Sequence, residues 1–179
     1  MRKTNAQDSV PAWPQQIHRI LAAAGVRQIA YVPDAGHTQL IKLCSSDRSM
    51  KAVVLTSEEE GVAMLAGAWL GGARGALLMQ SSGVGNCINM LGMMQECRFP
   101  LLMLVTMRGE WGEFNPWQVP MGRATPAVLE NMGVVVQHVD DAAHVAATVD
   151  AASQLAFNSS RAVAVLIGQR VVGSKNWKR

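Results

Sequence analysis

Six short apolar runs alternate along the chain with segments of helical length, and few folds accommodate that alternation. The runs predict strands at residues 27–34, 50–56, 75–80, 100–106, 134–139 and 161–168. The intervening segments predict helices at residues 14–24, 37–44, 58–70, 85–95, 126–132 and 142–157. Strands that are apolar along their whole length are typical of a parallel sheet covered on both faces. We therefore expect an α/β fold with three layers around a doubly wound, mostly parallel sheet of about six strands.

The length of 179 residues is enough for one domain with a substantial core. We expect a polar N-terminal arm at 1–12, the domain at 13–170, and a basic C-terminal tail at 171–179. Charged residues make up 16% of the chain, which is below the roughly 25% of an average soluble protein. This low surface charge predicts that partners cover part of the surface.

Charge and cysteine usage exclude several classes of protein. The net charge is +3 and no basic run occurs outside the two ends, so a nucleic-acid partner is not expected. Cys44, Cys87 and Cys97 are far apart and odd in number, which indicates neither a disulfide framework nor a zinc site. No apolar window reaches membrane length and no signal peptide is evident, so we expect a cytoplasmic protein without a membrane partner.

In doubly wound sheets, ligands gather at the carboxyl ends of the strands. Those ends fall at residues 32–36, 56–58, 80–86 and 107–123. The polar residues considered below come from these four turns.

Three consecutive acids, Glu58, Glu59 and Glu60, begin the third predicted helix. Ser57 and Glu60 have the spacing of a capping box, and acids in a first turn suit the helix dipole. All three acids can therefore be explained as caps.

The body of that helix, residues 61–70, contains no polar side chain except the indole of Trp69. A helix that is apolar all round is predicted to be buried all round, so at least one of the acids begins near the interior. Glu58 shares its face with Val62 and Leu65. A carboxylate at the edge of a dry cleft is suited to hold or share a proton, which makes Glu58 the candidate for chemistry.

The segment MQSSGVGN, residues 79–86, sets Gly83 and Gly85 between a strand and a helix. It lacks the third glycine and the later acid of a dinucleotide fingerprint, and also the Gly-Lys-Ser/Thr of a P-loop. We expect a tight turn whose backbone approaches a flat ligand; the alternative is close packing of strand and helix. The polar residues of this turn are Gln80, Ser81, Ser82 and Asn86.

A long connection at 107–125 contains two tryptophans, a phenylalanine and two prolines. Connections of this length are usually functional or disordered, and disordered segments rarely use this many aromatic residues. We expect an ordered loop covered by another subunit or by a substrate, with the subunit favoured. Arg108 and Arg123 could hold a substrate anion, or pair with Glu110 and Glu113.

Taken together, three stretches resemble a known family. Glu58 is followed nine residues later by Gly67, then by a strand and by MQSSGVGN, while YVPDAG ends the first predicted strand. Over residues 15–168 this pattern resembles the pyrimidine-binding domain of thiamine-diphosphate-dependent 2-oxoacid decarboxylases. It is most similar to the sulfopyruvate decarboxylase alpha subunits and the phosphonopyruvate decarboxylases.

The resemblance implies a carboxy-lyase in which Glu58 hydrogen-bonds the pyrimidine ring of thiamine diphosphate and activates the cofactor. It implies a substrate-handling role for Asp34 and His37, at a place where many relatives carry Ser or Asp. The cofactor-binding residues implied in this way are Pro33, Glu58, Gln80, Ser81, Ser82, Gly83, Gly85 and Asn86.

The Gly-Asp-Gly stretch that binds Mg²⁺ and the diphosphate in this family does not occur in the sequence. The resemblance therefore implies that a beta subunit supplies Mg²⁺ and the diphosphate site, that this chain holds no metal, and that alpha subunits assemble with each other or with beta subunits. Sulfopyruvate, phosphonopyruvate and aryl or alkyl 2-oxoacids all remain open as substrates. A non-catalytic ligand-binding or regulatory module and a carboligase subunit also remain open.

Overall fold

A computed structural model of the protein describes residues 12–174. The predicted arm up to residue 11 and the tail from residue 175 lie outside these residues, and the domain boundaries stay predictions. The strands are β1 (Val26–Tyr31), β2 (Lys51–Val54), β3 (Arg74–Gln80), β4 (Leu101–Thr106), β5 (Val135–Val139) and β6 (Ala162–Ile167). The helices are α1 (Trp13–Ala23), α2 (Thr38–Ser46), α3 (Glu58–Leu70), α4 (Ser81–Cys97), α5 (Gln118–Asn131), α6 (Ala142–Ser159) and α7 (Gln169–Val172).

The six strands form one parallel sheet in the order β2-β1-β3-β4-β6-β5. On one face, α1, α2 and α6 pack through Ile17, Leu40 and Val149. On the other face, α3, α4 and α5 pack through residues that include Val62 and Leu129. Every residue of β4 is buried, which explains why this run has no polar alternation. The predicted three-layer α/β fold is confirmed.

Chain order reverses between β1 and β3. From β1 the chain moves outward to β2, and it then crosses back to β3 and continues toward the opposite edge. The helices on the two sides of such a point diverge, which leaves a crevice at the carboxyl ends of the two strands. The segment after Tyr31 and the start of α4 meet at this crevice.

Two predicted segments differ from the structure. The glycine turn at 80–86 does not exist, because α4 begins at Ser81 directly after the extended residue Gln80, which is its N-cap. The long connection ends at residue 117, because α5 begins at Gln118 and contains Pro126 in its interior. Proline is preferred in the first turn of a helix, so the sequence predicts a helix start at Pro126, whereas the helix begins eight residues earlier.

The prediction that α3 is buried on all sides is wrong, because one side of this helix is exposed in residues 12–174. Ala63, Gly67 and Leu70 are exposed, whereas Glu58, Val62 and Leu65 are buried as predicted. Aromatic residues of the 107–117 loop are also exposed, most of all Trp117 at 85%. Among the described residues, no helix has both the length and the apolar character needed to cross a membrane.

Candidate active site

The first turn of α3 places its three acids in three different environments. Glu58 is 7% exposed, while Glu59 and Glu60 are exposed. Glu60 Oε2 accepts a hydrogen bond of 2.9 Å from the backbone N–H of Thr56, so it does reach back over the helix start. Ser57 makes no side-chain capping bond, and Glu60 bonds Thr56 rather than the N-cap Ser57, so the predicted reciprocal capping box is not formed. Capping accounts for Glu60 and leaves the burial of Glu58 unexplained.

Glu58 is held against the start of α4. Asn86 Nδ2 donates a hydrogen bond of 2.8 Å to Glu58 Oε2. A Cβ atom at Gly83 would overlap the carboxyl group of Glu58. Gly83 is therefore required because the carboxyl group passes close to the helix backbone, and not because the backbone makes a turn.

The charge of Glu58 acts on a neighbouring thiol. Burial, reinforced by the negative charges of Glu58 and Glu59, raises the pKa of Cys87 to about 12. Cys87 is thus a neutral and unreactive part of the wall. Within residues 12–174, Oε1 of Glu58 accepts no hydrogen bond, so one oxygen of this buried acid is available to a ligand.

Asp34 connects the carboxyl ends of three adjacent strands. It follows β1, and its Oδ1 accepts a hydrogen bond of 3.2 Å from Gln80 Nε2 at the end of β3. Its Oδ2 accepts a hydrogen bond of 2.5 Å from Thr106 Oγ1 at the end of β4. A Cβ at Gly36 would come within 2.7 Å of Thr106 Cγ2, so the loop after Asp34 packs closely on this threonine.

Sequence reasoning missed Thr106. Its signal was available, because a single polar residue ends an otherwise apolar parallel strand at the edge where ligands bind.

His37 is fully buried, so it is not a surface residue at the start of α2. Its Nε2 donates a hydrogen bond of 2.9 Å to the carbonyl oxygen of Leu104, and since a carbonyl can only accept, Nε2 carries a proton. Burial lowers the pKa of His37, although the nearby charge of Asp34 and the bond to Leu104 act in the opposite direction. The imidazole therefore supports the Asp34 loop from within the protein.

Arg108 lies two residues beyond β4 and forms a bidentate ion pair. Its Nε and Nη2 donate to the two oxygens of Glu113, each at 2.6 Å. Glu113 also accepts hydrogen bonds from the backbone N–H groups of Gly109 and Asn115 and from Gln169 Nε2. The bond from Arg108 is the main reason that the pKa of Glu113 falls to about 2. The predicted alternative of an Arg108–Glu113 pair is thus present.

A cleft of about 220 Å³ opens beside Asp34 and Arg108. Its walls are Asp34, Ala35, Gly36, Thr106, Arg108, Val172, Gly173 and Ser174. The backbone N–H of Arg108 donates to Ser81 Oγ at 3.1 Å, and Ser82 Oγ donates to Gln80 Oε1 at 3.0 Å. These bonds connect the cleft to the first turn of α4, where Gly83 meets Glu58.

The remaining candidates are distributed differently. Pro33 is exposed beside Asp34, and a Cβ at Gly85 would make an ordinary contact of 3.5 Å with Met121 Sδ. Arg123 is exposed on α5 and is not part of the wall of the cleft. The structure therefore gathers the candidates of the first three turns and Arg108 at one edge, and leaves Arg123 outside.

One further group was not visible in the sequence spacing. Glu110, His138 and Asp140 bring potential metal-ligand atoms within 4.8 Å of one another, and all three are exposed. The distance from His138 Nε2 to Glu110 Oε1 is 3.4 Å. Exposed acidic groups commonly cluster in this way without a metal, so the arrangement does not identify a metal site.

The fold and the buried acid define a class of protein, and the comparisons with known proteins agree with it. Residues 14–114 match the family model described as "Thiamine pyrophosphate enzyme, N-terminal TPP binding domain". The chain belongs to this family.

Within the family, two relatives are similar over most of their length. The sulfopyruvate decarboxylase subunit alpha of Methanococcus maripaludis is 30% identical over 86% of this chain and 92% of its own. That of Methanothermobacter thermautotrophicus is 34% identical over 80% of this chain and 88% of its own. The phosphonopyruvate decarboxylase of Streptomyces viridochromogenes is 38% identical over 62% of this chain but only 28% of its own. The family predicted from the sequence is confirmed.

A solved structure shares the fold. The 2-oxoglutarate:ferredoxin oxidoreductase from Magnetococcus marinus aligns with a TM-score of 0.70 over 89% of this chain and 29% of its own. The identity is 15%, so this likeness concerns the fold alone.

Proposed function

We propose that the chain is the alpha subunit of a thiamine-diphosphate-dependent enzyme that decarboxylates a 2-oxoacid. The relatives that it matches over almost their full length have that name and subunit designation. The observation that carries the proposal is the buried Glu58, held by Asn86 against Gly83 with its second oxygen available.

The residues around Glu58 fit the pyrimidine ring of this cofactor. A buried carboxyl group with one hydrogen bond already made can hold or share one proton with a ring nitrogen through its other oxygen. Thiamine diphosphate supplies the electron sink that the release of carbon dioxide from a 2-oxoacid requires. The chain contributes the proton-holding acid, and the buried Val62 and Leu65 on the same face of α3 help to exclude water.

The carboxyl edge of the sheet supplies the remaining roles. Gln80, Ser81, Ser82, Gly85 and Asn86, with Pro33, are proposed to form the cofactor side of the site. Asp34 is proposed to exchange a proton with the substrate, since Gln80 and Thr106 fix its carboxyl group at the wall of the cleft. His37 is proposed to act through Asp34 as a positioning residue, because it is fully buried and cannot contact a substrate itself.

A partner subunit completes the proposed enzyme. We infer a beta subunit that binds the diphosphate and Mg²⁺, and an oligomer in which alpha subunits contact each other or beta subunits. The designation of the relatives as alpha subunits supports a partner. The exposed aromatic residues Trp111, Phe114 and Trp117 also support one, since clustered apolar exposure marks interaction sites.

The test uses the complex of this chain with its partner, thiamine diphosphate and Mg²⁺. Glu58→Gln keeps the shape of the side chain but cannot share a proton as an acid, so turnover of 2-oxoacids is expected to fall by about 10³-fold. Glu59→Gln is the matched control, because Glu59 is adjacent but exposed, and it is expected to change turnover by less than about twofold. Size-exclusion chromatography checks that both variants assemble.

Near-normal turnover by Glu58→Gln would contradict the proposal. Calorimetry separates it from a non-catalytic module: the cofactor is expected to bind tightly only when chain, partner and Mg²⁺ are mixed. Absence of binding in every mixture would favour the module. Product analysis distinguishes decarboxylation from carboligation.

A further inference from the structure

Arg108 has hydrogen-bond donors that the protein does not use. A guanidinium carries five N–H groups, and Glu113 takes one from Nε and one from Nη2. Within residues 12–174, Nη1 and the second N–H of Nη2 make no hydrogen bond. The side chain is only 14% exposed. Arg108 lines the cleft, so these three unused donors are free to bond an acceptor that enters it.

The guanidinium of Arg108 is fixed before any ligand arrives. Glu113 holds its plane through two bonds, and the Phe114 ring lies 5.6 Å from its Cζ. The backbone N–H of Arg108 is bound to Ser81. A planar fork that is already oriented loses little conformational freedom when it binds an oxyanion, and its geometry suits two oxygens at once.

The cleft contains groups of both charges, because Asp34 and Arg108 both line it, together with Ser174. Glu113 already pairs with the charge of Arg108, so an anionic ligand would be held by the unused N–H groups of Arg108 rather than by a net positive charge. The volume of about 220 Å³ is below that of pockets for drug-sized ligands and suits a compound of a few carbon atoms.

We propose that Arg108 binds a second acidic group, a sulfonate or phosphonate on carbon 3 of the 2-oxoacid, and so selects substrates that carry one. This inference rests on the proposed function. The competing explanation is that Arg108 only fixes the 107–117 loop through Glu113. In that case the loss of kcat/KM on replacing Arg108 would be the same whether or not the substrate carries an acid on carbon 3.

The experiment compares three substrates in the assembled complex: 3-sulfopyruvate, 3-phosphonopyruvate and pyruvate. Arg108→Met is expected to lower kcat/KM for the two acidic substrates by about 100-fold, mainly through KM, because a charge-assisted bidentate contact is lost. Pyruvate has no acid on carbon 3, so its kcat/KM is expected to change by less than about threefold. Arg48→Met, at an exposed arginine between α2 and β2, is the matched control and leaves all three values unchanged.

An equal loss for all three substrates would assign Arg108 a structural role and overturn the inference. If Arg108→Met does not assemble, Arg108→Lys serves, because it keeps the charge but not the fork. It is expected to lower the preference for the acidic substrates about tenfold, and an unchanged preference overturns the inference. Sulfopyruvate and phosphonopyruvate as separate arms show which anion the site prefers.

Failure of the inference and failure of the proposed function give different results. If the wild-type complex has the same kcat/KM for pyruvate as for the two acidic substrates, the proposed function stands and the inference fails. If it decarboxylates none of them, the proposed function fails, and calorimetry with 3-sulfopropanoate, which has no ketone, decides the inference. Binding that Arg108→Met abolishes supports an anion site; equal binding by both proteins, or none by the wild type, overturns it.

Discussion

The two edges of the sheet differ in how their charged side chains are held. At the carboxyl edge, Asp34, Glu58 and Glu113 each accept hydrogen bonds from side chains of other segments. At the amino edge a larger cavity, of about 740 Å³, lies beside the start of β6. Arg98 and Arg161 line that cavity, and neither side chain makes a hydrogen bond or ion pair within residues 12–174.

The difference favours the carboxyl edge as the candidate site, because its polar groups are already fixed although its cleft is smaller. A ligand in the large cavity would have to immobilise two free arginines, and each long side chain costs roughly 0.5–1.5 kcal/mol to order. At the carboxyl edge Arg108 is already ordered by its bonds to Glu113, so a ligand there does not have to order it. The smaller cleft is therefore the place where small differences between ligands can be recognised.

A large effect at the carboxyl edge is expected from removing the space that Gly83 leaves for the carboxyl group of Glu58. Gly83→Ala sets a methyl group where the carboxyl group lies, so the acid must move. We expect turnover to fall by about 100-fold, since misplacing a reacting group by about 1 Å can cost that much. The free energy of unfolding is expected to fall by about 1–3 kcal/mol from overpacking. Steady-state kinetics and urea unfolding measure the two effects.

Gly92→Ala is the control on the same helix. No atom lies within 4 Å of a Cβ at Gly92, so the extra methyl group meets nothing. Alanine is favoured over glycine inside a helix, and the variant is expected to be as stable as the wild type or up to about 1 kcal/mol more stable. Equal losses in the two variants would show that the proximity of Gly83 to Glu58 is unimportant.

Much of the fold could be predicted from the sequence because its strands are buried on both faces. A run such as Leu101–Thr106 has no polar residue before its end, and in a chain whose apolar runs alternate with helices a parallel sheet covered on both faces is the fold that buries such a run. The bounds of α3 were predicted residue for residue. By contrast, the sequence does not predict the start of α5, because Pro126 in its interior resembles a helix start. The first turns of α5 become evident only in the folded protein, where Gly122 is buried against Arg108.

The candidate site could be predicted only in part, and for a related reason. Glu58 is conspicuous because a charge precedes an apolar helix face. Thr106 is marked in the sequence as the one polar residue that ends β4, whereas Gln169 becomes informative only after folding, when it meets the carboxyl group of Glu113. The sequence predicts a turn at Gly83, since nothing in its neighbourhood along the chain shows that Glu58 lies against it. Contacts between distant segments are what the sequence could not supply.

The network around Glu113 gives a test of the same comparison through pH. Its pKa lies near 2 in the folded protein, below the ordinary value of 4.5, so its contribution to stability is complete above about pH 4.5 and is lost as the pH falls through about 2. Glu113→Gln weakens the bonds to Arg108 and is expected to lower the free energy of unfolding by about 2 kcal/mol at neutral pH. Urea unfolding of both proteins across this range is expected to show a difference that shrinks toward pH 2. A difference independent of pH would mean that the charge of Glu113 does not stabilise the loop.

The smallest effect is expected at the amino edge. Arg161→Met removes one of the two arginines of the large cavity, and because this side chain holds no partner within residues 12–174, nothing described is left unpaired. We expect the free energy of unfolding to change by less than about 0.5 kcal/mol, and kcat/KM of the assembled complex to stay within about twofold for sulfopyruvate and for pyruvate. A selective loss for sulfopyruvate would reverse the comparison, since it would mean that a cavity with free arginines recognises the acid on carbon 3. A loss shared by both substrates, together with weaker assembly, would instead identify the amino edge as a contact with the partner subunit.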